Sequence, residues 1–252
     1  MCVVSIAWEA HPRWKLIAIG NRDEFHDRAS DALSSWVDAP SILAGRDLLS
    51  GGTWMGVHSD GRFGVVTNIR NPDGPDPTKK SRGAPVTDWL SGGVLPSAVE
   101  TFSPFNLVLA DKDGLTHIAN RPRAVQERWP GGIYGLSNAE TGAPWPRKDR
   151  LNRALTTWFA AEGHDPVDLF DVLLDEQCPA SGDPPIFIRN DIYGTRCSTL
   201  VAVDGGISSM ALQLAGQVQG AVGAAIAQAV EPGPDVIALL QQEPQAELQA
   251  LW

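Results

Sequence analysis

The sequence is poor in cysteine and in basic residues, and each shortage excludes a class of protein. Its three cysteines, Cys2, Cys178 and Cys197, are too few and too odd in number for a disulfide framework. With 20 basic and 30 acidic residues the chain carries a net charge of −10, whereas binding to nucleic acid needs a basic face. We therefore expect a protein of the reducing cytoplasm with no nucleic-acid partner.

Long apolar runs and the common nucleotide and metal motifs are also missing. No run of 18 apolar residues exists, so no transmembrane helix is expected. A basic segment is lacking near the start and Glu9 interrupts the apolar stretch, so no signal peptide is expected either. There is no Walker loop or Cys-x-x-Cys pair, and the five histidines show no zinc-ligand spacing. No metal is therefore expected, and His58 is either a surface histidine or a ligand for haem iron.

What the sequence does contain is a cysteine directly after the initiator methionine, Cys2. Methionine aminopeptidases remove Met1 when the second residue is this small, which would leave Cys2 with a free α-amine beside its thiol. That is the N-terminal-nucleophile arrangement, in which the terminal amine replaces the histidine of a Ser–His pair. The alternative is that Cys2 is simply a small residue at the entry to the first strand.

Two apolar segments after Cys2 predict a β-hairpin. Residues 3–8 and 15–20 have the composition of buried strands, and His11-Pro12-Arg13 separates them. Antiparallel pairing returns the end of the second strand to the start of the first. The cluster Asn21-Arg22-Asp23-Glu24 is therefore predicted to lie beside Cys2, where a carboxylate can orient an amine and a guanidinium can favour a thiolate. The alternative for these four residues is a turn with a local ion pair.

One domain spanning residues 1–252 is expected, because no convincing linker interrupts the chain. Further predicted strands lie at 41–44, 53–58, 62–69, 105–110, 115–120, 133–136 and 195–203, and predicted helices at 84–90, 97–102, 146–159 and 168–174. Residues 26–39 are predicted to be rich in loops, and residues 71–80 to form a surface loop or a mobile flap over the site. The basic residues of the longest helix, including Arg147, are predicted to form a solvated face. The Ala/Gln/Gly-rich tail, residues 211–252, is expected to be helical or partly disordered.

Cys2 followed by Asn21-Arg22-Asp23-Glu24 resembles the NRDE family, which is named for that tetrapeptide and includes the transport-and-Golgi-organisation 2 proteins. The likeness continues in order through Gly51-Gly52-Thr53-Trp54-Met55-Gly56, Thr67-Asn68-Ile69-Arg70-Asn71, Ser81-Arg82-Gly83, Tyr134-Gly135-Leu136-Ser137-Asn138, Pro144-Trp145-Pro146 and Tyr193-Gly194-Thr195-Arg196-Cys197-Ser198-Thr199. It implies an α+β fold of the N-terminal-nucleophile hydrolases, a four-layer αββα sandwich of two antiparallel sheets between helices. Bile acid hydrolases, penicillin acylases and acid ceramidase share that fold and cleave linear amides. NRDE proteins themselves have been tied to haem mobilisation, lipid and acyl-CoA metabolism, and Golgi organisation.

The resemblance implies a site around Cys2, with one departure from the relatives. Bile acid hydrolases carry an Arg-x-x-Asp pattern whose carboxylate holds the terminal amine. In this chain Glu24 stands at the carboxylate position but Asn21 stands at the arginine position, so Arg22 is the candidate guanidinium. Because adjacent strand residues alternate faces, we expect Glu24 to face the cleft. Asp23 should then point the opposite way and pair with Arg22 or with Arg196.

Further polar residues at strand ends complete the predicted site. Asn68 and Asn138 each follow an apolar strand and are candidate oxyanion donors, with turn residues as the alternative. Arg196 matches a late site arginine in the relatives, and its alternative is a structural salt bridge with Asp23 or Glu24. The candidate substrate-binding residues are Asn21, Trp54 and Arg70, of which Arg70 would recognise a carboxylate.

These patterns favour a hydrolase of a linear amide or thioester that uses Cys2 as nucleophile and needs no cofactor. The competing hypothesis is a non-catalytic carrier of haem or of an acyl lipid that uses the same cleft. In either case the expected partner is a small amide, acyl or haem ligand.

Overall fold

The computed structural model describes residues 2–71, 74, 76–161, 165–204, 209–215, 217–218 and 221–222. Its first seven strands are β1 Val3–Trp8, β2 Trp14–Phe25, β3 Ser30–Trp36, β4 Ala39–Asp47, β5 Met55–His58, β6 Phe63–Asn68 and β7 Phe105–Asp111. The others are β8 Gly114–Ala119, β9 Val125–Trp129, β10 Gly132–Leu136, β11 Tyr193–Asp204, β12 Ser209–Ala215, β13 Gln217–Val218 and β14 Ala221–Val222. The helices are α1 Ala84–Gly92, α2 Pro146–Ala160 and α3 Leu169–Leu173, with 3₁₀ turns at Val99–Thr101 and Pro166–Asp168.

Two antiparallel sheets occupy the middle of the fold. The first sheet has the strand order β10-β1-β2-β11-β12, and the second has the order β3-β4-β5-β6-β7-β8-β9. Helices α2 and α3 cover the outer face of the first sheet, and α1 covers the outer face of the second. The layers therefore run helix, sheet, sheet, helix, as the resemblance implies.

Strand alternation sends successive side chains of β1 to the two faces of its sheet. Val4 and Ile6 lie in the core between the sheets, which also contains Phe63 of the second sheet. Val3 packs on the other face against Leu151 of α2. A third cluster joins the second sheet to α1. Burial of each such side chain stabilises the folded state by roughly 1.5–3 kcal/mol. The three apolar clusters therefore hold the two sheets and the helices together.

The β1–β2 hairpin is present as predicted, with Val4 opposite Gly20 and Ser5 opposite Ile19. However, β2 continues to Phe25, because β11 pairs along its far side from Phe25 to Trp14. The tetrapeptide Asn21-Arg22-Asp23-Glu24 is therefore part of a central strand. The alternative interpretation, a turn with a local ion pair, is wrong.

Other predicted boundaries need correction where tertiary pairing overrides weak local signals. Strand β3 lies within the predicted loop 26–39, and β9 was not predicted at all. Residues 97–102 contain only a 3₁₀ turn. In the tail, β12 pairs with β11 and β13 pairs with β14, so the prediction of a helical or disordered segment is wrong for residues 211–215, 217–218 and 221–222. The same prediction for residues 216, 219–220 and 223–252 lies outside the described residues.

Candidate active site

The register of the first sheet brings Cys2 to the end of β2. Val3 pairs with Asn21, so the residue before Val3 lies next to Arg22. The Cys2 thiol donates to the main-chain oxygen of Asp23 over 3.9 Å, and the Tyr193 hydroxyl donates to the same oxygen over 3.1 Å. The predicted meeting of Cys2 with the NRDE tetrapeptide is thus present in the structure.

Cys2 opens into a cavity of about 90 Å³ between the two sheets and the start of α1. Among the predicted residues, Arg22, Glu24, Trp54 and Asn68 line it. The other lining residues are Arg28, Asp47, Gly52, Thr53, Val66, Ser81, Arg82 and Gly83. The cavity walls therefore come from Cys2 before β1, from β2, β4 and β6, and from the loops that precede β3, β5 and α1.

Alternation along β2 separates the tetrapeptide into two pairs. Arg22 and Glu24 line the cavity. Asn21 points to the helical layer, where its Nδ2 donates to the main-chain oxygens of Leu173 at 2.8 Å and Ile186 at 3.0 Å. The predicted substrate-binding role of Asn21 is therefore wrong, because its side chain is buried on the opposite face of the sheet.

Asp23 shares the helix-facing side with Asn21 and forms a buried ion pair. Its carboxylate accepts hydrogen bonds from Arg147 Nη1 at 2.7 Å and from Thr195 Oγ1 at 2.7 Å. Arg147 also donates to the main-chain oxygen of Ile186 at 2.5 Å. The predicted orientation of Asp23 is correct. The prediction named Arg22 or Arg196 as its partner, whereas the structure pairs it with Arg147 and places Arg22 on the cavity side of the sheet. Arg147 is only 2% exposed, so the prediction that it lies on a solvated face is also wrong.

Arg22 is held in the cavity by acidic and aromatic neighbours. Its Nη2 donates to Asp47 Oδ2 at 3.1 Å and lies 3.9 Å from Glu24 Oε2. The guanidinium carbon lies 4.8 Å from the centre of the Trp54 ring, a cation–π contact. Arg28 Nε donates to the same Asp47 oxygen at 2.6 Å. One carboxylate, Asp47, therefore serves two arginines.

Hydrogen bonds and burial shift the pKa values of three residues that line the cavity, Arg28, Asp47 and Arg82. Burial opposes ionisation of Asp47, but hydrogen bonds from Arg28 and the main-chain nitrogen of Ser50 outweigh it and lower its pKa. The hydrogen bond to Asp47 raises the pKa of Arg28. Burial lowers the pKa of Arg82, whereas the nearby Cys2 and Glu24 act in the opposite direction. The cavity therefore surrounds one thiol with guanidinium and carboxylate groups.

Arg28, Asp47 and Arg82 are site residues that sequence reasoning missed. Arg82 lies in Ser81-Arg82-Gly83, one of the segments that carry the family resemblance, so its motif was a usable signal. Arg28 and Asp47 gave no such signal, because Asp47 lies at the end of β4, which is placed by pairing with β3 and β5.

Two glycines allow the loops that form the cavity to meet. A Cβ on Gly52 would lie 2.7 Å from the main-chain carbon of Gly83. Any side chain at Gly52 would therefore push apart the loop before β5 and the start of α1. Gly45 plays a similar part in β4, because a Cβ there would collide with the ring of Trp54. A larger residue at Gly45 or Gly52 would therefore displace Trp54 or Gly83, both of which line the cavity.

Asn68 and Asn138 are in contact, but only Asn68 lies in the cavity lining. Asn68 lines the cavity, whereas the Asn138 Nδ2 donates to the main-chain oxygen of Asn68 at 2.9 Å. Behind them, Asn106 donates to the main-chain oxygens of Ser137 at 3.3 Å and Ala139 at 2.9 Å. Asn138 therefore supports the strand end that carries Asn68, and its amide nitrogen is engaged there.

Arg70 and Arg196 lie apart from the cavity lining that the described residues form. The Arg70 side chain is exposed, and its main-chain nitrogen donates to Asn138. Arg196 lies at an irregularity in β11 between Thr195 and Cys197, and its Nη1 is 3.2 Å from His26 Nδ1. The structure thus places the predicted residues Cys2, Arg22, Glu24, Trp54 and Asn68 together, with Asn138 directly behind them.

The described part of the chain contains no group of three or more His, Cys, Asp or Glu side chains that could hold a metal ion. His58 lies outside the cavity lining, with Nδ1 at 2.8 Å from an Asp60 oxygen. No described helix is long and apolar enough to cross a membrane.

Comparison with known proteins identifies the family. A family model described as Transport and Golgi organisation 2 matches residues 1–210. The chain belongs to the Transport and Golgi organisation 2 family. Two relatives within this family are the mouse "Transport and Golgi organization 2 homolog", 28% identical, and its human counterpart, 29% identical. Each alignment covers 81% of this chain and 89% of the relative.

A solved structure with the same fold is the Caenorhabditis elegans N-acylethanolamine-hydrolyzing acid amidase orthologue. Its TM-score is 0.51 at 14% sequence identity, over 79% of this chain and 92% of that chain. At this identity the likeness shows the fold alone. The N-terminal-nucleophile hydrolase fold predicted from the sequence is confirmed, and this Transport and Golgi organisation 2 protein shares it.

Proposed function

We propose that this protein is an N-terminal-cysteine hydrolase that cleaves a linear amide or thioester. The observation that carries the proposal is the location of Cys2 in a cavity that also contains Arg22, Glu24 and Asn68. Acyl transfer needs an activated nucleophile and a donor for the oxyanion. A carboxylate can hold the terminal amine, and a guanidinium can favour the thiolate. The fold shared with an amidase orthologue supports the same reaction class.

In the proposed mechanism the Cys2 thiol gives its proton to its own α-amine. The thiolate then attacks the carbonyl carbon, a C–S bond forms, and the carbonyl π electrons move to the oxygen. The Asn68 amide stabilises that oxyanion, while Glu24 holds the protonated amine and Arg22 favours the thiolate. The C–N or C–S bond of the substrate breaks as the leaving group takes the proton. Water, deprotonated by the amine, then attacks the acyl thioester on Cys2 and a C–O bond forms. The C–S bond to Cys2 breaks, the acid leaves, and the sulfur takes the proton back from the amine.

The mechanism requires that the mature chain begins at Cys2, since retained Met1 would block the amine. Intact mass of the expressed protein should show loss of Met1. Retained Met1 in a well-expressed preparation would contradict the proposal. We also propose a cytoplasmic location, where the thiol stays reduced.

The direct test is acylation and turnover. The protein is incubated with a series of acyl thioesters and of N-acyl amides of a fluorescent amine. We expect an acyl mass increase on the N-terminal peptide and release of product. Both should be lost in Cys2→Ala and kept in Cys178→Ala, because Cys178 is exposed and lies outside the cavity. Product release that persists in Cys2→Ala would contradict Cys2 as nucleophile.

The competing proposal is carriage of haem or an acyl lipid in the same cavity, with Cys2 as a ligand or bystander. A cavity of about 90 Å³ is well below the roughly 300–1,000 Å³ of typical ligand pockets, so most of such a ligand would lie outside it. Titration with haem separates the two proposals. A shifted Soret band that disappears in Cys2→Ala, without acylation of Cys2, would favour carriage in this cavity.

A further inference from the structure

We infer that the cavity beside Cys2 contains a subsite for a carboxylate of the substrate, formed by Arg82 with Arg22. The inference rests on the proposed function in that Cys2 is taken as the reacting group. It narrows the substrate to an amide or thioester that carries a carboxylate close to the carbonyl that Cys2 attacks.

The first reason is an excess of positive charge in the cavity lining. Three arginines, Arg22, Arg28 and Arg82, face two carboxylates, Glu24 and Asp47. Asp47 binds both Arg22 and Arg28, at 3.1 and 2.6 Å, and Glu24 lies 3.9 and 3.8 Å from the same two. Among the described residues no carboxylate lies within ion-pair distance of Arg82. One guanidinium is therefore left without an acidic partner.

The second reason is that the hydrogen bond that positions Arg82 uses only one of its N–H donors. Its Nε donates to the main-chain oxygen of Pro104 at 3.0 Å. A guanidinium has five N–H donors in a planar fork that matches a carboxylate. Gly83, the next residue, is the N-cap of α1 and also lines the cavity. The positive end of the α1 dipole therefore adds to the attraction for an anion.

The third reason is an unsatisfied donor on Arg22. This side chain is only 6% exposed, and its Nη1 is buried without a hydrogen-bond partner among the described residues. A buried charged donor that lacks a partner costs folding free energy, because nothing replaces the water that it has lost. Such groups are conspicuous in proteins because more than 90% of buried polar groups are paired. An incoming carboxylate would offset that cost.

The Cys2 thiolate is another anion that Arg82 could face, because the two groups are close enough to interact electrostatically. The two explanations predict different selectivity. Stabilisation of the thiolate speeds the reaction of Cys2 with every electrophile. A carboxylate subsite speeds its reaction only with electrophiles that carry a carboxylate.

The test therefore compares two alkylating reagents that differ in one group, iodoacetate and iodoacetamide. With both, a C–S bond forms at the thiolate and iodide leaves, so no turnover by the protein is needed. Rates of labelling at Cys2 are measured by peptide mass at constant pH and ionic strength. The exposed Cys178 of the same molecule gives the reference ratio for the two reagents.

We expect the iodoacetate-to-iodoacetamide rate ratio at Cys2 to exceed that at Cys178 by roughly tenfold. Arg82→Gln should bring the ratio at Cys2 down to that at Cys178. Arg82→Lys should keep part of the preference, since it keeps the charge but loses the fork. Arg123→Gln removes the same charge from an exposed position outside the cavity lining and should leave the ratio unchanged.

Equal ratios at Cys2 and Cys178 in the unaltered protein would overturn the subsite. So would a high ratio that Arg82→Gln and Arg123→Gln reduce equally, because that would reflect net charge alone. If Arg82→Gln fails to fold, a protection experiment on the unaltered protein tests the subsite, with labelling of Cys2 measured in the presence of acetate or acetamide. Acetate should slow labelling of Cys2 by iodoacetamide, and acetamide should not. Equal effects of the two would overturn the proposal, and none of these outcomes depends on hydrolase activity.

Discussion

Asp23 and Arg147 form an ion pair of 2.7 Å that is almost completely buried, on the face of β2 opposite to the Cys2 cavity. The main-chain oxygen of the same Asp23 accepts the hydrogen bond from the Cys2 thiol. One residue therefore anchors the strand to α2 and contacts the nucleophile. The family tetrapeptide thus serves both sides of the sheet, with Arg22 and Glu24 in the cavity and Asn21 and Asp23 in the helical layer.

Removal of one partner of this pair should destabilise the fold strongly. Breaking a buried ion pair leaves an uncompensated charge and costs about 3–5 kcal/mol. We expect Arg147→Met to lower the free energy of unfolding by that amount in a urea titration. Arg153→Met, at an exposed position of the same helix, should change it by less than about 0.5 kcal/mol. The double variant Asp23→Asn with Arg147→Met should lose much less than the sum of the two single variants; an additive loss would contradict the pairing.

Sequence patterns could predict the layers of the fold but not the partners of its charged residues. The almost continuous apolar run of Val3–Trp8 indicates a buried strand, and Cys2 followed by the tetrapeptide indicates where the candidate site lies. Arg147 could not be assigned in this way. Its helix has an apolar stripe and a basic side, and only the packing of α2 on β1 and β10 decides which arginine becomes buried.

The same limit explains the missed strands and cavity residues. Residues 30–36 are mostly exposed and polar, so β3 has no strong alternation of its own and depends on pairing with β4. Asp47 reaches the cavity through that pairing, and Arg28 reaches it through its ion pair with Asp47. Contacts between distant parts of the chain have no local signature. Arg82 differs from these two residues, because it lies within a family motif and could have been predicted as a site residue from the sequence.

The three cysteines should differ sharply in reactivity. Burial raises the pKa of Cys197 to about 12, so this residue stays a thiol at neutral pH, and thiolates are the reactive form. Cys2 lies in a cavity with an excess of guanidinium groups, and Cys178 is exposed without such a setting. Limiting iodoacetamide at pH 7 should label the N-terminal peptide first, Cys178 later, and Cys197 only after unfolding.

The order of labelling also tests the electrostatics of the cavity. Faster labelling of Cys178 than of Cys2 would show that the surroundings of Cys2 do not favour a thiolate. Labelling of native Cys197 at pH 7 would contradict its burial. Peptide mass after digestion distinguishes the three sites in one experiment.

A buried histidine away from the cavity should make stability depend on pH. His117 is 2% exposed, stacks on Trp129, and has Nε2 at 3.0 Å from Thr141 Oγ1. Burial lowers its pKa, although Glu127 at 3.3 Å opposes the shift. The unfolded chain therefore takes up a proton at this residue at a higher pH than the folded chain does. The contribution of neutral His117 is complete above about pH 6.5 and is lost as the pH falls through its lowered pKa.

The measurement is the thermal midpoint between pH 7.5 and pH 5 for the unaltered protein and for His117→Gln. We expect the midpoint of the unaltered protein to fall more steeply below about pH 6.5. His117→Gln should be less stable at pH 7.5 but should show a flatter profile, because only the titration is removed. Parallel profiles for the two proteins would mean that other groups cause the pH dependence.

Glu24 and Asp23 should have different roles, although they are adjacent and carry the same charge. Glu24 lines the cavity with Cys2, and its Oε2 lies 3.8 Å from Arg28 Nε. In the proposed mechanism it holds the protonated amine of Cys2, so Glu24→Gln should slow any Cys2-dependent reaction by about 10²-fold. Its effect on the free energy of unfolding should be small, since Glu24 is partly exposed and its nearest charges lie at 3.8 Å or more.

Asp23→Asn should show the reverse pattern. Its carboxylate faces α2 and binds Arg147 and Thr195, so the substitution should lower the free energy of unfolding by about 3–5 kcal/mol. The rate per folded molecule should fall less than in Glu24→Gln, because the main-chain oxygen that contacts Cys2 is kept. Rates are therefore normalised to the folded fraction from the urea titration. A larger loss per folded molecule in Asp23→Asn than in Glu24→Gln would refute the assignment of Glu24 to the Cys2 amine.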